Sequence, residues 1–337
     1  MKISIAKYSD LNKISNFIKK NWNKNHILST NKFFFSYIYK NNKKLNFILC
    51  KDNKSSLIGI IGFIKSSYTN NGSIWTTMWK VKKKMTILLG LKMLLKLCNN
   101  KKYLNVMSVG INSKTVEIYK YLNFKTGKLN HHFIPNLNYK KKIISKIPKN
   151  LIINNFIKVS KNLVTKEISL NEIKNKFFFD KFKNINPYKD YLYVKKKFFY
   201  HPINKYKFYG LINKNEIMCF IVLRTQKYKT SKCIRIFDFY GKEIYLKYIV
   251  NYLVNTDEFK SSEYLDFYSY GLKEKTLNNA GFFNKKKFEN NIIIPDLFGP
   301  FLKKNNDVLF FVNKKKVNNL RIFRADGDQD TPVNIKV

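Results

Sequence analysis

The chain has 337 residues, of which 45% are hydrophobic, 16% aromatic and 26% charged. A chain of this length can bury one large core or two ordinary ones, which excludes a peptide or a disulfide-stabilised mini-protein. The hydrophobic content also excludes a chain that is disordered throughout.

The formal net charge is +44 at pH 7, from 65 Lys and Arg residues against 21 Asp and Glu. A basic surface attracts polyanions. Nucleic-acid sites favour Arg for its bidentate fork, whereas here four arginines stand among lysines spread along the whole chain. The Lys- and Asn-rich composition is what an AT-rich genome would encode. It indicates a general affinity for anions and does not favour a dedicated nucleic-acid function.

The four cysteines lie far apart, without a CxxC pair or a neighbouring His at metal-ligand spacing: Cys50, Cys98, Cys219 and Cys233. We therefore expect buried thiols and no bound metal. The N-terminus lacks the apolar core of a signal peptide, and the longest apolar stretch, residues 85–98, is short and interrupted by lysines. These features predict a cytoplasmic protein that does not insert into membranes.

The first 135 residues alternate strand and helix patterns. Alternating apolar residues predict a strand over residues 2–7. Helical spacing of apolar residues from 11 to 18, after a cap at Ser9 or Asp10, predicts the first helix. The other predicted elements of this half are a helix over 31–39, an antiparallel meander over 46–50, 57–64 and 73–80, a helix over 87–97, a strand over 104–111, a helix over 112–121 and a strand over 124–134.

The second half repeats part of this order. Its predicted elements are strands over 206–211, 217–224 and 233–240, a helix over 244–254, a strand over 264–270 and a short helix over 273–279. The repetition indicates a duplicated α/β (α+β) fold, each copy a mixed, mainly antiparallel sheet flanked by helices. We predict domains over 1–138 and 151–325, a lysine-rich linker over 139–150 and an acidic tail over 326–337.

The most informative motif runs from Asn112 to Phe124 and includes Tyr119. It resembles the signature N-x-x-A-x-x-x-Y-x-x-x-G-F of the GNAT family of acyl-CoA N-acyltransferases, with Thr115 and Asn123 in place of the usual Ala and Gly. The resemblance covers residues 1 to about 135 and implies that Asn112 touches the pantetheine arm and that Tyr119 is the general acid for the leaving thiolate. A phenol placed there could protonate a thiolate as the tetrahedral intermediate collapses.

The family also implies a loop of pattern Q/R-x-x-G-x-G/A that holds the CoA pyrophosphate at a helix N-terminus. The corresponding stretch, residues 85–90, keeps only Gly90, with Met85 and Leu88 at the Q/R and first Gly places. Lysines 82–84 either supply the missing positive charge or form a solvated run. The residues assigned by this resemblance to acyl-CoA binding, with acetyl-CoA as the expected co-substrate, are Val81, Lys82, Lys83, Leu89, Gly90, Leu91, Asn112 and Tyr119.

No carboxylate stands out as the general base, because the strand over 73–80 contains neither Asp nor Glu. His26 lies beside Trp22 between the first two helices, where this fold commonly forms its acceptor lid. Its unperturbed pKa suits a base. We predict His26 as a catalytic candidate and both residues as acceptor-binding candidates; a packing role for His26 is the alternative.

The second half resembles a degenerate GNAT domain that walls the acceptor pocket. Residues 271–282 echo the signature, with Gly281 and Phe282 intact but Leu277 at the Tyr place. Asp266 is an acceptor-binding candidate, with a buried structural pair as the alternative. In the tail, Asp328 either binds the acceptor amine or docks on surface lysines. A weaker likeness links tandem chains with such a tail to surface-polysaccharide and sugar biosynthesis.

The predicted function is therefore a bacterial N-acyltransferase that moves an acyl group, most simply acetyl, from acyl-CoA to a small-molecule amine. The favoured acceptor is an amino sugar or a nucleotide-linked amino sugar. One alternative is a FemABX-like aminoacyltransferase that uses aminoacyl-tRNA; the other is a non-catalytic GNAT-fold module that binds polyanions. Aminoacyl-tRNA dependence would favour the first, and salt-sensitive RNA or DNA binding without CoA binding the second.

Overall fold

The computed structural model describes residues 1–68, 72–83, 87–148, 151, 162–296, 298 and 300–331. The chain divides into two compact units that are not contiguous in sequence. Unit 1 comprises residues 1–127, 309–316 and the described residues from 327 onward, and unit 2 comprises residues 128–308 and 317–326. This division differs from the contiguous domains predicted above.

The strands, in chain order, are β1 (Lys2–Lys7), β2 (Lys40–Asn41), β3 (Lys44–Lys51), β4 (Leu57–Lys65), β5 (Ile74–Val81), β6 (Val106–Val109), β7 (Lys125–Lys128), β8 (Asn130–Pro135), β9 (Leu163–Glu167), β10 (Lys207–Asn213), β11 (Glu216–Tyr228), β12 (Ser231–Gly241), β13 (Tyr264–Tyr270), β14 (Phe283–Asn284), β15 (Leu309–Val312) and β16 (Ile322–Phe323). The helices are α1 (Leu11–Asn21), α2 (Ile27–Thr30), α3 (Lys32–Tyr39), α4 (Ile87–Cys98), α5 (Val116–Tyr121), α6 (Leu170–Lys176), α7 (Tyr191–Val194), α8 (Leu246–Val254), α9 (Asp257–Lys260) and α10 (Glu274–Asn279). Within the described ranges, no helix is both long and apolar enough to span a bilayer.

The sheet of unit 1 has the order β1-β3-β4-β5-β6-β15-β7, with β2 paired to β3. Helices cover both of its faces. The apolar stripe of α1 packs with α3 on one face, and α4 packs with Tyr119 and Phe311 on the other. Strands β3 and β4 are therefore buried on both sides, which is why they read as continuous apolar runs.

The sheet of unit 2 has the order β14-β8-β13-β12-β11-β10-β9, with β16 paired to β13. Helix α8 covers one face and packs its buried side chains, among them Ile249 and Leu253, on the sheet. Each unit thus has a mixed eight-stranded sheet flanked by helices, which confirms the predicted fold class.

The predicted strand over residues 124–134 is wrong in one respect, because it is two strands that belong to different sheets. Strand β7 lies in the sheet of unit 1, whereas β8 lies between β14 and β13 in that of unit 2. Conversely, β15 comes from late in the chain and pairs with β6 in unit 1. Only Leu129 separates β7 from β8, so no turn signal in the sequence shows where the chain changes sheet.

The predicted linker over residues 139–150 is also corrected where the structure describes it. The backbone N–H groups of Ile143, Ile144 and Ser145 donate to the buried carboxylate of Glu263 at 2.6 to 2.8 Å. Ile144 has no exposed surface. These residues belong to the core of unit 2, since a buried carboxylate requires such donors.

Candidate functional site

Strands β5 and β6 of unit 1 run parallel, pair briefly and then separate. The ladder covers Ile74 with Val106 and Trp75 with Met107. Beyond it, the Thr76 hydroxyl donates to the Met107 carbonyl at 3.2 Å, and the Ser108 hydroxyl donates to the Thr76 carbonyl at 3.1 Å. Strand β5 continues to Val81 along β4, while β6 ends at Val109. Where two parallel strands stop pairing, their facing backbone groups can pair with an extended, amide-containing ligand instead of with each other.

A bulge in β5 lies at this separation. Opposite it, Ile61 pairs with Trp79 and Phe63 with Thr76, so two residues of β5, Thr77 and Met78, oppose the single Gly62. A Cβ at Gly62 would lie 2.8 Å from the Thr77 hydroxyl, so only glycine fits without displacing that side chain. The bulge therefore fixes the direction of Thr77.

The hydroxyl of Thr77 is 2.9 Å from that of Tyr39 on α3. Tyr39 is buried, and this burial raises its pKa, to which the negative charge of Asp328 also contributes. Thr77 and Tyr39 thus form a hydroxyl pair, and the charge of Asp328 acts on Tyr39. Of these three residues, the sequence analysis identified only Asp328. No local pattern marks the three together, because they lie on a strand, a helix and the tail.

Gly90 lies in the first turn of α4 and faces Trp79 of β5. A Cβ at Gly90 would lie 3.2 Å from the Trp79 ring. The Trp79 indole N–H is buried and has no hydrogen-bond partner among the described residues. Glycine at this position allows α4 to pack closely against β5. The Trp79 N–H beside this contact is available as a hydrogen-bond donor.

The other predicted cofactor residues flank this contact. Val81 ends β5, and the backbone N–H of Lys82 donates to the Ile58 carbonyl at 2.9 Å. Lys83 is exposed, Leu89 is buried and Leu91 is half-buried. Met85 and Lys84 lie outside the described residues.

The predicted signature residues occupy the turn and helix after β6. Asn112 caps this turn, since its side-chain oxygen accepts from the Lys114 N–H at 2.9 Å. Tyr119 is buried, with its ring stacked on Phe311 at 4.3 Å. Burial raises the pKa of Tyr119, although a hydrogen bond with the Thr115 hydroxyl opposes the shift. The phenol is therefore protonated at neutral pH, as a general acid must be.

His26 caps α2, which does not suit the predicted role of a base. Its Nδ1 accepts from the Leu28 N–H at 3.2 Å. Burial lowers the pKa of His26 to about 4, so the ring is neutral at pH 7 and carries its proton on Nε2. Its lone pair is thus already engaged. The neighbouring Trp22 is exposed, with the Lys80 ammonium 5.2 Å from its ring centroid.

Replacing His26 with Asn is expected to reduce the loss of stability that acid causes. Asn preserves the helix cap but does not titrate. Because the folded pKa of His26 lies below the unfolded value of 6.5, only the unfolded chain gains this proton as pH falls from 7 to 5, which lowers the free energy of unfolding. Urea titrations measure the free energy of unfolding at pH 7 and at pH 5. The decrease between these two values should be smaller in His26→Asn than in the wild type, by on the order of 1 kcal/mol. An unchanged loss would mean that His26 is not buried as a neutral ring.

The acidic tail places Asp328 and Gln329 in unit 1. Gly110, at the end of β6, has a φ of +79°. A Cβ there would lie 2.3 Å from the side-chain oxygen of Gln329. Glycine at position 110 thus permits both this turn and the close approach of the tail.

Asp266 has a different role from the predicted acceptor contact. It belongs to unit 2, is fully buried, and accepts from Arg235 Nε and Nη2 at 2.9 and 2.7 Å and contacts His131 Nε2 at 2.9 Å. The Arg235 charge holds the pKa of Asp266 below its usual value despite burial. Because both of its carboxylate oxygens already have hydrogen-bond partners, Asp266 forms a buried structural ion pair with Arg235. The described residues contain no cluster of His, Cys, Asp and Glu suited to a metal ion.

Comparison with known proteins supports this architecture. No protein-family model matches the sequence, and no curated protein is similar to it. Among solved structures, the chain is similar to a GCN5-related N-acetyltransferase from Anabaena variabilis ATCC 29413, with a TM-score of 0.58 at 9% identity over 92% of this chain and 72% of that one. Saccharomyces cerevisiae N-myristoyltransferase with bound myristoyl-CoA gives a TM-score of 0.45 at 11% identity, over 92% of this chain and 78% of that one.

At such low sequence identity, structural similarity shows the fold alone. The support comes from the Anabaena variabilis structure, with its TM-score of 0.58. The two mixed sheets described above agree with that result. The chain therefore has a GNAT-like fold, present as two tandem units.

Proposed function

We propose that unit 1 binds an acyl-CoA where β5 and β6 separate, and transfers its acyl group, most simply acetyl, to an amine. The observation that carries this proposal is the separation of the two strands beside the glycine contact between α4 and Trp79. The strand edges would pair with the amides of the pantetheine arm. The N-terminus of α4, together with Lys82 and Lys83, would attract its phosphates.

In this reaction the neutral amine attacks the thioester carbonyl carbon, forming a C–N bond as the C–S bond breaks. The amine nitrogen loses a proton and the departing sulfur gains one. We assign the second proton to Tyr119, whose raised pKa keeps its phenol protonated at neutral pH, so that it can donate to the sulfur as the C–S bond breaks; the proton lost by the amine then restores the phenol. Backbone N–H groups of the β5 bulge would polarise the carbonyl.

We place the acceptor beside Tyr39, Thr77 and Asp328. Two hydroxyls and a carboxylate suit an amine that carries hydroxyl groups, which is the chemistry of an amino sugar. The net charge of +44 would attract the phosphates of a nucleotide-linked form. Asp328 is the residue suited to hold the ammonium form or receive its proton.

Replacing Tyr119 with Phe is expected to lower turnover about 100-fold while the affinity for acetyl-CoA changes less than about twofold. The change removes one oxygen and keeps the stacked ring. The measurement is thiol release from acetyl-CoA with glucosamine or a nucleoside-diphosphate amino sugar, paired with calorimetry. Tyr121→Phe is the matched control, because Tyr121 lies on the same helix and is 88% exposed.

Equal turnover in Tyr119→Phe and wild type would remove Tyr119 from this role. Acetyl-CoA binding without turnover on any amine would leave the acceptor class open. If acetyl-CoA does not bind, the aminoacyl-tRNA enzyme or the polyanion-binding module becomes the better explanation.

A further inference from the structure

The equivalent separation of strands in unit 2 is filled by the chain itself. Strands β12 and β13 run parallel and pair from Ile234 with Leu265 to Ile236 with Phe267. Beyond these pairs, residues Leu320–Asp326, which we call the strap, lie along both strands. All strap residues except the half-buried Arg321 are buried.

The strap uses the backbone groups that separation of the two strands leaves unpaired. On the β13 side, Phe323 pairs with Ser269 and Ile322 with Tyr270 in an antiparallel ladder. On the β12 side, the Ala325 N–H donates to the Phe237 carbonyl at 3.0 Å. In unit 1, by contrast, the described residues place no strand between β5 and β6. The strap thus satisfies polar groups that would otherwise need a ligand or water.

Side chains hold the strap in this position. The Phe323 ring stacks on Phe267 with centroids 5.6 Å apart. The Arg324 Nε donates to Asp296 Oδ1 at 2.8 Å. Asp326 is fully buried and lies 2.7 Å from the Lys189 ammonium. Each contact buries an apolar ring or pairs a buried charge, so detachment of the strap would expose or unpair all of them.

The glycine at position 271 leaves the space that the strap needs beside the end of β13. It follows β13 with a φ of +89°, and a Cβ there would lie 1.8 Å from the Leu320 carbonyl oxygen. A side chain at position 271 is therefore incompatible with the strap in this place. The strap and the end of β13 fit together only with glycine here.

We propose that the strap permanently occupies the cleft of unit 2 and closes it to acyl-CoA, so that the chain binds one acyl-CoA, in unit 1. The strap pairs with β13 and donates a backbone hydrogen bond to β12, so it lies where an extended amide-containing arm would have to lie. The expectation of one bound acyl-CoA per chain rests on the proposed function of unit 1, whereas the closure of the unit 2 cleft does not.

The first test measures two quantities on the full chain: the number of acetyl-CoA molecules bound, by calorimetry, and hydrogen exchange in residues 320–326, by mass spectrometry. We expect one acetyl-CoA per chain and exchange in the strap within about tenfold of that in β13. Two bound molecules, or a strap that exchanges like an exposed loop, would overturn the proposal. No bound acetyl-CoA with a protected strap would refute the function of unit 1 while supporting the closed cleft.

A second test uses Gly271→Ala, with Gly281→Ala as the matched control. Both glycines have positive φ, +89° and +88°, so both substitutions place a side chain on a similarly unfavourable backbone, and the Cβ at position 271 would also meet the Leu320 carbonyl. Exchange in residues 320–326 should rise at least about tenfold in Gly271→Ala and not in Gly281→Ala. If Gly271→Ala does not fold, Phe323→Ala gives the same readout by removing the stacked ring. Unchanged strap exchange in the variant that folds would contradict the proposal.

Discussion

Replacement of Lys189 by Met is expected to lower the free energy of unfolding by about 3–5 kcal/mol at pH 7. Lys189 is buried, with its ammonium 2.9 Å from both oxygens of Asp238 and 2.7 Å from Asp326. Both carboxylates are fully buried. Burial alone would lower the pKa of Lys189, but the two negative charges raise it. Without this cation, two buried carboxylates would lie close together and would lose the ammonium that both of them contact.

The pH dependence separates this mechanism from loss of packing. Burial already raises the pKa of Asp238 to about 6 and that of Asp326 above its usual value. In Lys189→Met both should rise further, so the folded state takes up protons below pH 7 that the unfolded chain does not. The destabilisation should therefore be smaller at pH 5 than at pH 7.

Guanidinium unfolding of both chains at the two pH values measures this effect. Lys260→Met is the control, since its pair with Asp257 is exposed and should contribute nothing measurable. If Lys189→Met lowers the free energy of unfolding by the same amount at both pH values, the cause is lost packing and not unpaired charge.

Replacement of Gly90 by Glu is expected to weaken acetyl-CoA binding on the order of 100-fold, or about 2.7 kcal/mol. Any Cβ at this position would lie 3.2 Å from the Trp79 ring, which must then move. The carboxylate also places negative charge in the first turn of α4, where the helix dipole would otherwise attract phosphate. Both effects act on the proposed cofactor site.

Two further variants separate shape from charge. Gly90→Ala adds the Cβ without the charge and should show a smaller loss. Asn99→Glu adds the same charge at an exposed residue just after α4 and should bind acetyl-CoA as the wild type does. Calorimetry at moderate salt measures all three variants, with circular dichroism as the check of folding. Unchanged affinity in Gly90→Glu would show that acyl-CoA does not bind at this helix.

The local elements were largely predictable, because they depend on periodicities within one segment. The pattern over residues 87–97 became α4, Ile87–Cys98, and the strand predicted over 57–64 became β4, Leu57–Lys65. The helix predicted over 112–121 corresponds to the turn that Asn112 caps and to α5, Val116–Tyr121. The short strands β9, β15 and β16 were not predicted, since so few residues carry no clear periodicity.

The candidate site was predictable only in part. Gly90 and Tyr119 were identified from the resemblance to the GNAT motifs, and the structure adds the Trp79 ring beside the first and Phe311 beside the second. His26 was selected for its usual pKa, but the value depends on burial, which spacing does not reveal. Thr77 acquires its direction from a bulge opposite Gly62, a feature of strand pairing.

By itself, the sequence determined the two α/β halves and most of their helices and strands, because hydrophobic periodicity and capping act over a few residues. Only the tertiary structure decided which strand enters which sheet, since β8 and β15 pair with partners more than a hundred residues away. It also decided that Glu263 is buried under three backbone N–H groups and that the strap fills the cleft of unit 2. Such contacts depend on which unpaired edges and buried charges meet in space, and no local pattern records that.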